Sequence, residues 1–199
     1  MYKSKKTDEW VIICKNDREL LTPGKRVVKT KYQALADRLI LDLKKYGEDP
    51  TNPLSIVAFH YPMIDFFSDG SRGELERSIS IGLDRGSDWT LECPSAEPNF
   101  WMRWIGVFGN GQQQSEEGKK WLSQISPMQL CAVCIIGRVM ESVNIPFIVA
   151  TKLKPSALKS FAKEIETHYP YVSAKDLAVY FKNFLFYFNV EKESVKQAE

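Results

Sequence analysis

The stretch from Ser126 to Val139 limits what this chain can fold into more than any other. Ser126, Pro127 and Gln129 spell a helix start: a serine cap, a proline at the first helical position and a glutamine three residues after the cap. The body that follows, Leu130 to Val139, is apolar almost all round. A surface helix shows one apolar stripe, so a helix with no polar face belongs at the centre of a packed structure. The rest of the chain must then supply the layers that cover it.

Helices are the main supply. Ser173 with Asp176 starts a last helix on which Tyr180, Phe181, Phe184, Tyr187 and Phe188 project onto one stripe roughly 120° wide. Phe186 falls off that stripe, between Lys182 and Asn183 in projection, and is a candidate anchor for a partner. A helix is predicted over 156–168, stopped before Pro170, and a shorter one over 115–125 after a polar loop at 110–114. Apolar residues 145–150 surround Pro146. Upstream, Pro98 opens a helix bearing Trp101, Trp104 and Phe108, and residues 88–92 look extended. Ser71 with Glu74 forms another capping box, followed by Leu75, Ile79 and Leu83 and closed by Gly86. The charged tail beyond Val190 is expected to fray.

The N-terminal third has a different character. Residues 1–9 are polar and expected to be loose, with Lys3 to Lys6 as a solvated tail. Trp10 to Cys14 predicts a strand, Pro23-Gly24 a turn and Val27-Val28 a second strand. Thr30 and Gln33 make a capping box for a helix over 31–46, with Tyr32, Leu35, Leu39, Leu43 and Tyr46 on one face and Gly47 as its stop. Lys31, Asp37, Arg38 and Lys44 lie mostly off that face. Residues 54–67 predict a buried helix interrupted by Pro62. The fold class is therefore α+β: a small β-rich N-terminal domain over 8–70, then a mainly helical C-terminal domain over 71–199.

Charge and composition exclude several functions. With 27 basic against 25 acidic side chains the net charge is only +2, so no broad field exists for nucleic acid. No apolar run approaches the roughly 18 residues of a membrane span. Four cysteines in 199 residues do not make a disulfide scaffold, and a reducing environment is expected. Cys131 and Cys134 have redox spacing but stand beyond the helix start, where small buried hydrophobes are the better reading. A zinc site would have to recruit Cys14 or Cys93 from distant segments, so no metal and no cofactor are expected. His60 stands between Phe59 and Tyr61 as a core histidine. Gly118-Lys119-Lys120 fails as a phosphate loop, because the glycine spacing from Gly111 is wrong and no Ser or Thr follows. Asp65 and Asp69 belong to a turn. No catalytic constellation emerges, and the chain is expected not to be an enzyme.

The order of the segments carries a further signal. Strand 10–14, the turn Asn16-Asp17-Arg18, Thr22-Pro23, Val27-Val28, the following helix, Pro53-Leu54-Ser55 and Ile64-Asp65 stand in a characteristic sequence. Asp88 to Cys93, Trp101 and Trp104, Ser126 to Leu130, Glu141-Ser142 and Ala162 to Tyr169 continue it. Over about residues 10–190 this resembles the chaperone family that assembles the catalytic head of F-type ATP synthase by holding its alpha subunit. The chain differs from the family's pattern at Asn16-Asp17-Arg18, at Asp42-Leu43 and at Tyr171-Val172-Ser173, which bears on partner identity more than on fold. The resemblance implies a molecular chaperone whose partner is the unassembled alpha subunit, with Glu166 in the family's functional acidic position and His168 beside it. It also implies a mitochondrial matrix location in a eukaryote, its targeting peptide absent here, or the cytoplasm of a bacterium. The alternatives are a small-molecule enzyme, with a pocket around Asp65, Glu166 and His60, or a general protein-interaction domain.

Overall fold

A computed structural model of the chain describes residues 2–14, 16–67, 72–73, 76–77, 79, 111–140, 144–168 and 172–196. The fold is α+β. Three antiparallel strands, β1 (Lys3–Lys6), β2 (Trp10–Ile13) and β3 (Lys29–Thr30), form one sheet in that order. Seven α-helices follow among the described residues: α1 (Gln33–Tyr46), α2 (Val57–Phe66), α3 (Gly111–Gln124), α4 (Pro127–Val139), α5 (Asn144–Thr151), α6 (Leu158–His168) and α7 (Ala174–Lys196). None is both long and apolar enough to cross a membrane.

Helix α4 sits where its sequence demands. It packs against α2, α5 and α7, and Leu130, Cys131, Ala132, Val133 and Ile136 lose all contact with solvent. Its start carries both halves of the capping box: the Ser126 hydroxyl accepts from the Gln129 amide and the Gln129 side chain accepts from the Ser126 amide. Gln129 then donates from Nε2 to the Phe188 carbonyl at 2.8 Å, pinning the start of α4 to α7. The apolar character outruns the burial, however. Cys134 is only partly buried and Val139 is half exposed, while Ile136 and Met140 stay buried.

The predicted aromatic stripe of α7 is the inner face of that helix. Tyr180, Phe181, Phe184, Tyr187 and Phe188 are all buried, and Phe161, Phe59 and Trp121 pack on them with ring centroids 5.4–5.8 Å apart. Ser173 starts this helix as expected, accepting from the Asp176 amide. It runs on to Lys196, past the residue where fraying was expected.

Several local expectations need correction. The lysines at 3–6 form a strand, because β2 offers a free edge and pairs Ser4 with Ile12 and Lys6 with Trp10. The second predicted strand is displaced: Val27 makes only an isolated bridge to Leu21, and the ladder with β2 is made by Lys29 and Thr30. Thr30 is thereby held in the sheet and cannot cap. Its hydroxyl instead accepts from the Tyr32 amide, and α1 starts at Gln33 without a side-chain cap. Residues 111–114, expected in a loop, are the first turn of α3. Pro62 lies inside α2 without ending it, since Val57 to Tyr61 are held in the core.

Around residues 72–79 the described positions, among them Ile79, are helical and Ile79 is buried. The expectations for Ser71, Glu74, Leu75, Leu83 and Gly86, for the extended segment 88–92, for Asp69, Cys93, Trp101, Trp104 and Phe108, and for Glu141 lie outside the described residues.

Gly24 illustrates how a turn signal can be right for another reason. The turn at Thr22–Lys25 forms, but the residue with positive φ is Lys25, at 63°. Gly24 is required by close approach: a Cβ there would meet the Asp65 carboxylate at 2.6–3.0 Å. Asp65 accepts from the Gly24 amide at 3.0 Å and from the Thr22 hydroxyl, while Arg26 donates to the Ile64 carbonyl at 3.0 Å. Asp65 is thus a strut between the turn and the end of α2.

Candidate functional site

A groove of about 540 Å³ opens between the outer edge of β3, helix α2, the first turn of α4 and the far end of α7. That volume lies within the range of about 300–1,000 Å³ usual for ligand sites. Its floor is apolar: Val27 from the strand side, Met63 and Ile64 from α2, Met128 from α4. Its rim is charged. Lys29 pairs with Glu9 at 2.7 Å, Glu191 accepts from the Tyr32 hydroxyl at 3.2 Å, and Arg26 and the exposed Lys31 stand beside them.

His60 closes the base. It comes from the buried turn of α2 and reaches between β3 and α7. Nε2 is 3.0 Å from the Lys29 carbonyl and Nδ1 is 3.0 Å from the Tyr187 hydroxyl. A carbonyl can only accept, so Nε2 carries the proton and Nδ1 accepts from Tyr187. Burial holds the imidazole at about 4, well below its ordinary value near 6.5. The ring is therefore neutral at physiological pH with both nitrogens occupied. It fastens the sheet to α2 and α7 and has no lone pair left for substrate.

A second polar device is built on α1. Asp42 is buried; it accepts from the Ile56 amide at 2.7 Å and pairs with Arg38 at 3.1 Å. Arg38 donates to the Asn183 side chain at 2.8 Å, and Asn183 donates to the Leu54 carbonyl at 2.8 Å. Phe186 lies next to this network, partly buried, with the Arg38 guanidinium 6.0 Å from its ring centre. It is placed as much by Arg38 as by exposure.

Glu166 has an intramolecular partner. Its carboxylate accepts from the Ala174 amide at 2.7 Å, at the first turn of α7. Near the C-terminal end of α6 a negative charge is disfavoured, but the same carboxylate faces the positive end of the next helix dipole. His168 is the last residue of α6, and its side chain lies outside the described residues. The structure does not gather Glu166 and Phe186 into one patch: the helix from Ala174 to Phe186 is about 18 Å long. We expect Glu166→Lys to lower thermal stability by about 1–2 kcal/mol, and Glu166→Gln, which keeps an acceptor, by less. Calorimetry of the two variants checks this; equal melting temperatures for all three proteins would show that the bond carries no stability.

Cys131 and Cys134 both lie on α4. Cys131 is fully buried, with Sγ 3.6 Å from the Phe59 carbonyl, and burial pushes its thiol well above the ordinary range. Burial likewise raises Cys134 to about 12. Burial thus disfavours the thiolate form that redox exchange uses. Among the described residues no group of three or more His, Cys, Asp or Glu side chains could hold a metal ion. Gly118 is buried inside α3, far from phosphate-loop geometry.

The groove itself was not read from the sequence. Met63, Met128 and Lys31 come from three segments that no spacing rule connects, and His60 was read only as a core histidine. Comparison with protein-family models, with curated proteins and with solved structures finds no match for this chain.

Proposed function

We propose that this chain is a non-catalytic binding protein, an assembly chaperone for the unassembled alpha subunit of an F-type ATP synthase head. The observation that carries the binding reading is the groove's chemistry. It offers adaptable apolar contacts from two methionines under a charged rim. Its one buried titratable ring is neutral and has both nitrogens engaged, so it is committed to structure. Such a surface suits shielding rather than turnover. An unassembled subunit exposes an apolar face that aggregates when wet, and a complementary surface is sufficient to protect it. The choice of client rests on the order of segments from residue 10 to 190.

The test is light scattering of a denatured alpha subunit diluted into buffer with and without the purified chain. Suppression of scattering at near-equimolar chain is expected, with no effect of added nucleotide on the chain itself. Scattering unchanged at tenfold excess would remove the chaperone reading.

A further inference from the structure

We infer that β1 is a placeholder strand, and that the edge of β2 receives in its place an extended segment of another protein that alternates apolar and basic residues. The inference depends neither on the groove nor on the client named above. It starts from the register. Lys3 stands opposite Ile13, Ser4 opposite Ile12, Lys5 opposite Val11 and Lys6 opposite Trp10. Every residue of β1 is polar and every residue it faces is apolar. Successive side chains of a strand alternate between faces, so Ser4 and Lys6 share the inner face with Trp10 and with Ile12, which is wholly buried in the core. β-branched or aromatic side chains would pair better at those two positions.

Little holds β1 where it is. Lys3, Lys5 and Lys6 are exposed. The side-chain ties are the Lys3–Asp17 pair at 2.5 Å, with both partners exposed, and Lys6 lying 5.2 Å from the centre of the Trp10 ring. Just ahead of the strand, the Tyr2 hydroxyl donates to Glu48 at 2.8 Å in another exposed bond. Exposed ion pairs contribute little, and segments with few buried apolar contacts are the ones that open locally. The backbone ladder does not favour β1 either. The Ile12 amide and carbonyl and the Cys14 amide point away from β1, to Val28, Leu20 and Arg18. Val11 and Ile13 therefore turn their backbone groups towards β1, and any extended segment that replaces it recovers the same bonds. Exchange trades one ladder for another, so the side chains decide which strand stays.

The other face of the sheet sets the charge of that segment. Lys3, Lys5, Val11, Ile13, Asp17 and Glu19 line a hollow of about 550 Å³ there. Lys3, and more weakly Lys5, hold the Asp17 carboxyl below its ordinary range. When β1 leaves, its lysines leave with it, so the incoming segment carries basic side chains towards Asp17 and Glu19 and apolar ones towards Ile12. A second copy of this chain fits less well. Among the described strands its edges are β1, which would restore the same mismatch, and the two-residue β3.

The probe is a short fluorescein-labelled peptide of alternating valine and lysine, compared with a twin carrying glutamate for lysine. Anisotropy should show the basic peptide binding to the full chain, and the twin binding about fivefold more weakly or less tightly still. Hydrogen exchange read by mass spectrometry should show residues 3–6 exchanging faster once the peptide is bound, while residues 10–13 stay protected. Ser4→Val with Lys6→Val improves the fit of β1 and should weaken peptide binding about fivefold or more, with circular dichroism showing the variant folded. No binding of the basic peptide, equal binding of the twins, or binding that leaves residues 3–6 protected overturns the inference. So does binding unchanged in the double variant. Concentration-dependent association of the chain alone, lost in that variant, would assign the edge to a second copy and overturn it as well.

Discussion

Asp42→Ala lowers the stability of this protein by about 3 kcal/mol, at the low end of what breaking a buried ion pair costs. The carboxylate has 6% of its side-chain surface exposed and serves two partners at once. Its removal leaves the Ile56 amide, at the start of α2, without its acceptor in a buried site. It also leaves Arg38 with Asn183 and the Phe186 ring alone. Arg38 is 38% exposed, so water recovers part of its loss, which is why the low end applies. The double variant Arg38→Met with Asp42→Leu should recover only the part due to the uncompensated Arg38 charge, because the Ile56 amide still lacks its acceptor. Urea unfolding of the three proteins decides it. A loss below about 1 kcal/mol for Asp42→Ala would mean that the network is decorative.

The second large effect is a pH dependence centred on His60. Its folded pKa, about 4, lies below the ordinary value near 6.5 that the unfolded chain has. Between those values the unfolded state binds the proton and the folded state does not, so acid favours unfolding. The contribution is complete above pH 6.5 and is lost as the pH falls towards 4, on the order of 3 kcal/mol in all. Burial dominates; the hydrogen bond to the Lys29 carbonyl and then the Glu9 charge act in the opposite direction. Carboxylates also titrate near the acid end, so the quantity to read is the difference between the parent and His60→Gln. Their stability-against-pH curves should converge as the pH falls from 6.5 to 4.5, the parent losing more. Parallel curves over that window would show that His60 does not stay neutral in the folded protein.

The regular parts of this fold were legible because local rules and packing agree on them. Helix α4 is announced by its capping box and all-round apolar body, and α7 by five aromatic residues at helical spacing. Most of α4 and the whole α7 stripe are buried as their patterns required, with Cys134 and Val139 of α4 among the exceptions. Strand β2 and the Gly47 stop of α1 are of the same kind. What sequence could not supply were the choices made between distant segments. Nothing local marks Lys3 to Lys6 as a strand, since its pairing comes wholly from the edge of β2. The inward turn of Arg38 and Asp42 is decided by the Ile56 amide and Asn183, which lie 14 and 145 residues away from them. Gly24 looked like a flexible turn residue and proved to be a close approach to Asp65. Glu166 near the end of α6 finds its partner, the Ala174 amide, only at the start of the next helix. Periodicity and capping are properties of neighbouring residues, so a single chain displays them. A buried hydrogen bond or a groove exists only once tertiary packing has chosen the partners, and that choice belongs to the folded structure alone.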